Sequence, residues 1–178
     1  MELVVYDPAT GKPWPAQAGD LALTPNGLRL GEVTVVRPEP SPPMQPALAT
    51  FGPLALIEAK SPATTVAPGG QIPVELLWQA ADAPGEPLVV VTQLQDAAGR
   101  VAAGLEAQPL DGRYPTQNWA AGELVRDRHT LSLPADLPPG AYRLIVGLYR
   151  AADRTRLERR TGLLGKSDHW VVTTVDVK

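Results

Sequence analysis

Short runs of alternating apolar and polar residues, punctuated by glycine and proline, make up most of the chain. Gln71-Ile72-Pro73-Val74-Glu75-Leu76-Leu77-Trp78 alternates in its second half. Successive side chains of an extended strand point to opposite sides, so Val74, Leu76 and Trp78 share one face. Leu88 to Gln95 is β-branched and nearly continuous, as a central strand should be. It runs through Asp96-Ala97-Ala98-Gly99-Arg100 into Val101 to Leu105, which predicts a hairpin. Glu123 to Leu133, Ala141 to Tyr149 and His169 to Val177 supply three further strands, and Phe51 to Ala59 supplies the first of the series. Ala151 to Arg160 is too polar on all sides for an amphipathic helix and reads as a charged loop.

Seven short strands with frequent turns and no amphipathic helix predict an all-β, Ig-like or fibronectin-III-like antiparallel β-sandwich. The corner Leu137-Pro138-Pro139-Gly140 followed by Tyr142 supports this. A tyrosine so placed, at the start of a central strand, resembles the tyrosine corner, whose hydroxyl ties the turn to backbone just upstream.

The N-terminal segment carries an internal echo. Leu3 to Gly11 looks like Val146 to Asp153, and Gly31-Glu32-Val33-Thr34-Val35 looks like Thr173 to Val177. Each pair reads as the last hairpin of a sandwich. Residues 1–37 are therefore expected to be an extra β-hairpin, either the tail of a preceding similar domain or an extension of one sheet. Residues 38–49, with Pro38, Pro40, Pro42, Pro43 and Pro46, form an extended linker, and residues 50–178 form the sandwich. A hairpin is marginal on its own, so residues 1–37 should dock, or make a strand-swapped or edge-paired dimer.

Composition sharpens this picture. The 20 prolines and 16 glycines fall between the apolar runs, where turn-rich β proteins use them. The chain has no cysteine, which removes thiol catalysis and thiolate metal sites. A formal net charge of -3, with both signs interspersed, leaves no basic stripe for nucleic acid. No apolar run approaches the roughly 18 residues of a membrane span, and the N-terminus lacks the pattern of a signal peptide. Read alone, these features describe a soluble, cytoplasmic chain.

Candidate chemistry is sparse. His129 and His169 are the only histidines, and neither sits in a triad or metal-ligand spacing. Both are expected at exposed strand ends. No glycine pattern for a phosphate or dinucleotide loop is present, so no catalytic residue, metal or cofactor is assigned. Arg126-Asp127-Arg128-His129 is the densest polar cluster. On a strand, Arg126 and Arg128 share one face while Asp127 and His129 share the other. The arginines are either an anion-binding pair or the charges of an exposed sheet edge that discourage aggregation. Tyr114, Gln117, Asn118 and Trp119 combine aromatic faces that can stack on sugar rings with amides that can meet hydroxyls. Trp119 could equally seal the open side of a sandwich. Trp78 belongs to the core pattern, Trp170 suits either role, and Trp14 is a docking contact for the first hairpin.

Tyr114-Pro115-Thr116 with Trp119, Gly122-Glu123-Leu124-Val125-Arg126-Asp127, the Pro139-Gly140-Ala141-Tyr142 corner and Val146-Gly147-Leu148-Tyr149 together resemble a known module. It is the C-terminal β-sandwich of large multi-spanning membrane glycosyltransferases of the dolichyl-phosphate-mannose-protein mannosyltransferase type, found in Chloroflexi-like bacteria. Tyr6 to Gly11 is similar to the tail of that module. The resemblance covers roughly residues 50–178. It implies a tethered, extracytoplasmic, non-catalytic accessory domain whose partner is the upstream membrane glycosyltransferase or a glycan. The alternative is a carbohydrate-binding module using the Tyr114 to Trp119 loop. An autonomous hydrolase would need paired carboxylates, for which no context exists.

Overall fold

The computed structural model describes residues 2–3, 22–24, 27–29, 44–160 and 167–178. The chain divides into two compact units, Met1–Glu39 and Pro40–Lys178. In the first, strands β1 (Glu2–Leu3), β2 (Ala22–Thr24) and β3 (Gly27–Arg29) form a sheet in the order β1-β3-β2. The echoed segments at Val4 to Gly11 and Gly31 to Val35, the linker prolines up to Pro43, and Trp14 lie outside the described residues.

The second unit is an all-β sandwich, as the alternation predicts. One sheet has the order β10-β7-β5-β4-β12, built from β10 (Leu124–Ser132), β7 (Gln71–Ala80), β5 (Leu54–Lys60), β4 (Ala49–Phe51) and β12 (Arg159–Arg160). The other is β6-β13-β11-β8-β9, from β6 (Thr65–Val66), β13 (His169–Val177), β11 (Gly140–Arg150), β8 (Leu88–Gln95) and β9 (Val101–Ala107). Among the described residues, the ladders of the sandwich are antiparallel except β6 with β13. Three of these strands, β4, β6 and β12, are only two or three residues long and leave no periodicity to read in the sequence.

The single strand expected over Phe51 to Ala59 is instead a hairpin. Gly52 adopts φ 55° and, with Pro53, turns the chain so that Phe51 faces Leu54. Glycine is the residue that reaches this left-handed region without steric cost. The charged segment after Tyr149 is turn and loop, as read from its polarity, apart from β12 pairing with β4.

Inward faces of both sheets make one core. Leu56, Ile72, Val74, Leu76, Trp78, Val125 and Leu131 from the first sheet meet Leu88, Val90, Leu94, Leu144, Val146, Leu148 and Val175 from the second. Full burial of side chains of this size contributes about 1.5–3 kcal/mol each. Phe51 and Trp78 meet edge-on, with ring centroids 6.1 Å apart. The tyrosine corner is present: Tyr142 donates to the carbonyl of Pro138 at 2.8 Å, tying β11 to the turn that precedes it. Tyr142→Phe removes that bond and leaves the ring in place, so urea unfolding should show a loss of about 1 kcal/mol with an unchanged m-value.

Candidate functional site

Strand β10 pairs with β7 over nine residues without a bulge, from Leu124 opposite Gln79 to Ser132 opposite Gln71. An unbroken ladder preserves alternation. Val125, Asp127, His129 and Leu131 are buried, while Arg126, Arg128, Thr130 and Ser132 are exposed. The predicted division of Arg126-Asp127-Arg128-His129 between two faces therefore holds, and each half builds a different structure.

Outside, the register places Lys60, Glu75 and Arg128 side by side across β5, β7 and β10, and Glu58 and Arg126 on either side of Leu77. Their side chains interlock. Arg126 lies 2.5 Å from one oxygen of Glu75 and 3.6 Å from Glu58, Arg128 donates from Nε to the other oxygen of Glu75 at 2.9 Å, and Lys60 reaches Glu58 at 2.7 Å. The hydrogen bond from Arg128 holds the Glu75 carboxyl below the usual carboxylate range against some desolvation, and Lys60 does the same for Glu58. The two arginines do form a pair, centred on Glu75, on a strand that edges its sheet.

Inside, Asp127 and His129 form a buried pair, with Asp127 Oδ2 2.5 Å from His129 Nε2. This corrects the expectation of an exposed histidine at a strand end: His129 sits within β10, and alternation sends its ring into the sandwich. The other oxygen of Asp127 accepts the backbone N–H of Leu110 at 2.9 Å. Leu110 and Asp111 have φ of 54° and 55°, a left-handed conformation that costs a side-chain-bearing residue roughly 1–2 kcal/mol. Asp127 thus pins a strained turn of the β9–β10 connection to the core. His169 does open β13, half-buried, with Nδ1 2.8 Å from Asp168.

The Tyr114 to Trp119 loop is brought together, but as a clasp. Trp119 is 1% exposed, and its Nε1 donates to the carbonyl of Tyr114 at 3.0 Å. The two rings stack with centroids 6.3 Å apart. Tyr114 is half-buried, and its hydroxyl donates to Glu123 at 2.8 Å. Thr116 is fully buried, accepting from the Leu88 amide and donating to the Glu86 carbonyl. Gln117 and Asn118 face solvent. Trp119 is therefore not available as a sugar-stacking platform: its ring completes the core, the sealing role that its position also allowed. Trp78 is core as expected, and Trp170 is half-buried beneath the Arg159 guanidinium.

A concavity of about 610 Å³ adjoins the outer charges. Pairing of β5 with β7 ends at Lys60 opposite Glu75, after which the chain crosses to β6 in the other sheet. Among the described residues the start of β7 is then flanked by β10 alone, and Pro73, which has no N–H to give a neighbour, stands in this open stretch opposite Thr130. Lys60, Ser61 and Pro62 from the crossing wall one side of the groove, and Glu75, Arg128 and Thr130 reach it from the sheet. Sequence reasoning found Arg128 but missed Lys60 and Glu75. Alternation marks Glu75 as outward-facing, but the partner is 53 residues away in sequence and only the ladder brings it alongside.

Comparison with known proteins adds little. No protein family matches the chain, and no curated protein does. Among solved structures it is similar to the C-terminal domain of wzt, with 17% identity and a TM-score of 0.46 over 80% of each chain. It is also similar to the Pseudomonas fluorescens alkylpurine DNA glycosylase AlkC bound to DNA containing an abasic site analog. There the identity is 13% and the TM-score 0.41, over 71% of this chain and 30% of that one. Similarities of this size say nothing about chemistry. The mannosyltransferase type is not among them and rests on the motifs alone.

Trp119→Ala should destabilise the sandwich by about 3–5 kcal/mol in urea unfolding, as loss of a core ring does, whereas Gln117→Ala should leave stability nearly unchanged. The folded Glu75 pKa lies below its ordinary value of 4.5. Its contribution to stability is therefore complete above that value and is lost as pH falls through the lower folded-state value. Unfolding midpoints followed from about pH 6 to pH 3 should drop less steeply in Glu75→Gln than in the parent.

Proposed function

We propose that the sandwich is a non-catalytic recognition module that binds a saccharide in the groove where β5 leaves the first sheet. The make-up of that groove carries the reading. Pro62 and Pro73 offer flat apolar surface to the C–H face of a sugar ring, Ser61 and Thr130 offer hydroxyls, and Arg128 and Glu75 offer planar polar groups already held in place by their own pairing. A predominantly apolar concavity with a few placed polar groups is the usual form of a small-ligand site, and about 610 Å³ falls within the ordinary range of about 300–1,000 Å³. The motif resemblance supports a setting for the module: an extracytoplasmic appendage of a membrane glycosyltransferase, where it would meet glycan.

Titration of ¹⁵N-labelled protein with neutral oligosaccharides tests the site directly. Saturable shifts in the amides of Ser61, Glu75, Arg128 and Thr130, abolished in Glu75→Ala, are expected. A flat response at tens of millimolar, or shifts centred on Gln117 and Asn118 instead, would overturn the assignment.

A further inference from the structure

The charges around the groove are unbalanced in a direction that selects among saccharides. Lys60, Arg126 and Arg128 stand against Glu58 and Glu75, three cations to two carboxylates, on a molecule whose formal net charge is -3. The rest of the lining is Ser61, Pro62, Pro73, Val74 and Thr130, together with His129, whose side chain is buried against Asp127 beneath the sheet.

The surplus is also positioned to be used. Both oxygens of Glu75 are engaged by arginines, one by each. Arg128 gives only its Nε to that carboxylate, and its side chain is 72% exposed, so the end-on edge formed by its two terminal amines meets no acceptor among the described residues. That edge matches the two oxygens of a carboxylate, the geometry in which guanidinium binds most strongly. Lys60 spends one contact on Glu58, and its side chain is 61% exposed. An ammonium has three donors, so Lys60 can meet the same anionic group from the wall formed by the strand crossing.

We propose that the groove prefers saccharides bearing a carboxylate, of the uronic-acid type, over their neutral counterparts. The sugar ring would lie toward Pro62 and Pro73, and its carboxylate would take the terminal amines of Arg128 with help from Lys60. This rests on the saccharide reading of the groove and goes beyond it by naming the ligand's charge.

The test compares digalacturonic acid with its neutral dimethyl ester by NMR titration of the full chain. The acid should bind about tenfold more tightly than the ester at low ionic strength, and the gap should shrink in about 0.5 M NaCl, where exposed charges are screened. Arg128→Gln combined with Lys60→Gln, two exposed positions, should bring binding of the acid down to that of the ester in the same variant, with the spectrum of the fold unchanged; a tenfold gap that survives in this variant would overturn the assignment to these two cations. Equal binding of acid and ester would overturn the acidic preference while leaving the saccharide site standing. No binding of either would overturn both. Competition by inorganic phosphate at equal concentration would overturn the preference by showing a site for small anions in general.

Discussion

The unbroken ladder between β7 and β10 is the constraint on which both faces of this region depend. A strand has a side-chain period of two, so slipping the register by one residue would exchange every inward group for an outward one. Nine paired residues with no bulge prevent that. As a result four consecutive polar residues serve two purposes. Arg126 and Arg128 frame Glu75 in solvent, and Asp127 with His129 lies under the sheet, tethering the turn at Leu110. Had the ladder carried a bulge like those in β5 and β9, an arginine would have turned into a core of leucine, valine and tryptophan, at the cost of burying an unpaired charge.

A second constraint acts on the groove. Strand β5 belongs to one sheet and β6 to the other, joined by four residues that include Ser61 and Pro62. The crossing both closes the sandwich, through the parallel pairing of β6 with β13, and removes the neighbour of β7 beyond Glu75. The concavity is thus a by-product of how the sandwich is closed. It is lined by the residues that make the crossing possible, and the charge ladder ends beside it. Recognition chemistry here would occupy a gap that the fold creates anyway.

The Tyr114 to Trp119 loop illustrates the opposite outcome. Its composition is that of a ligand-binding loop, yet its aromatic and hydroxyl groups turn inward. Trp119 satisfies its N–H on the Tyr114 carbonyl, and Thr116 bridges Glu86 and Leu88. A long connection between β9 and β10 must cover the end of a core and pair its own backbone groups. The residues that could stack on a sugar are the ones that can do this.

The order and alternation of residues were sufficient to determine the sandwich, its seven longer strands, the tyrosine corner at Tyr142, the core role of Trp78 and the opposed faces of Arg126 and Asp127. Each of these follows from local rules: period two in a strand, and turns where glycine and proline fall. Tertiary structure alone decided the rest. It split Phe51 to Ala59 at Gly52, added strands too short to show a period, turned Trp119 into the core, buried His129 against Asp127 and set Glu75 between two arginines more than fifty residues away. The physical reason is common to all of them. Whether an aromatic or a charged group faces solvent or protein depends on which strand lies beside it, and that neighbour is chosen by long-range pairing, which no local pattern records.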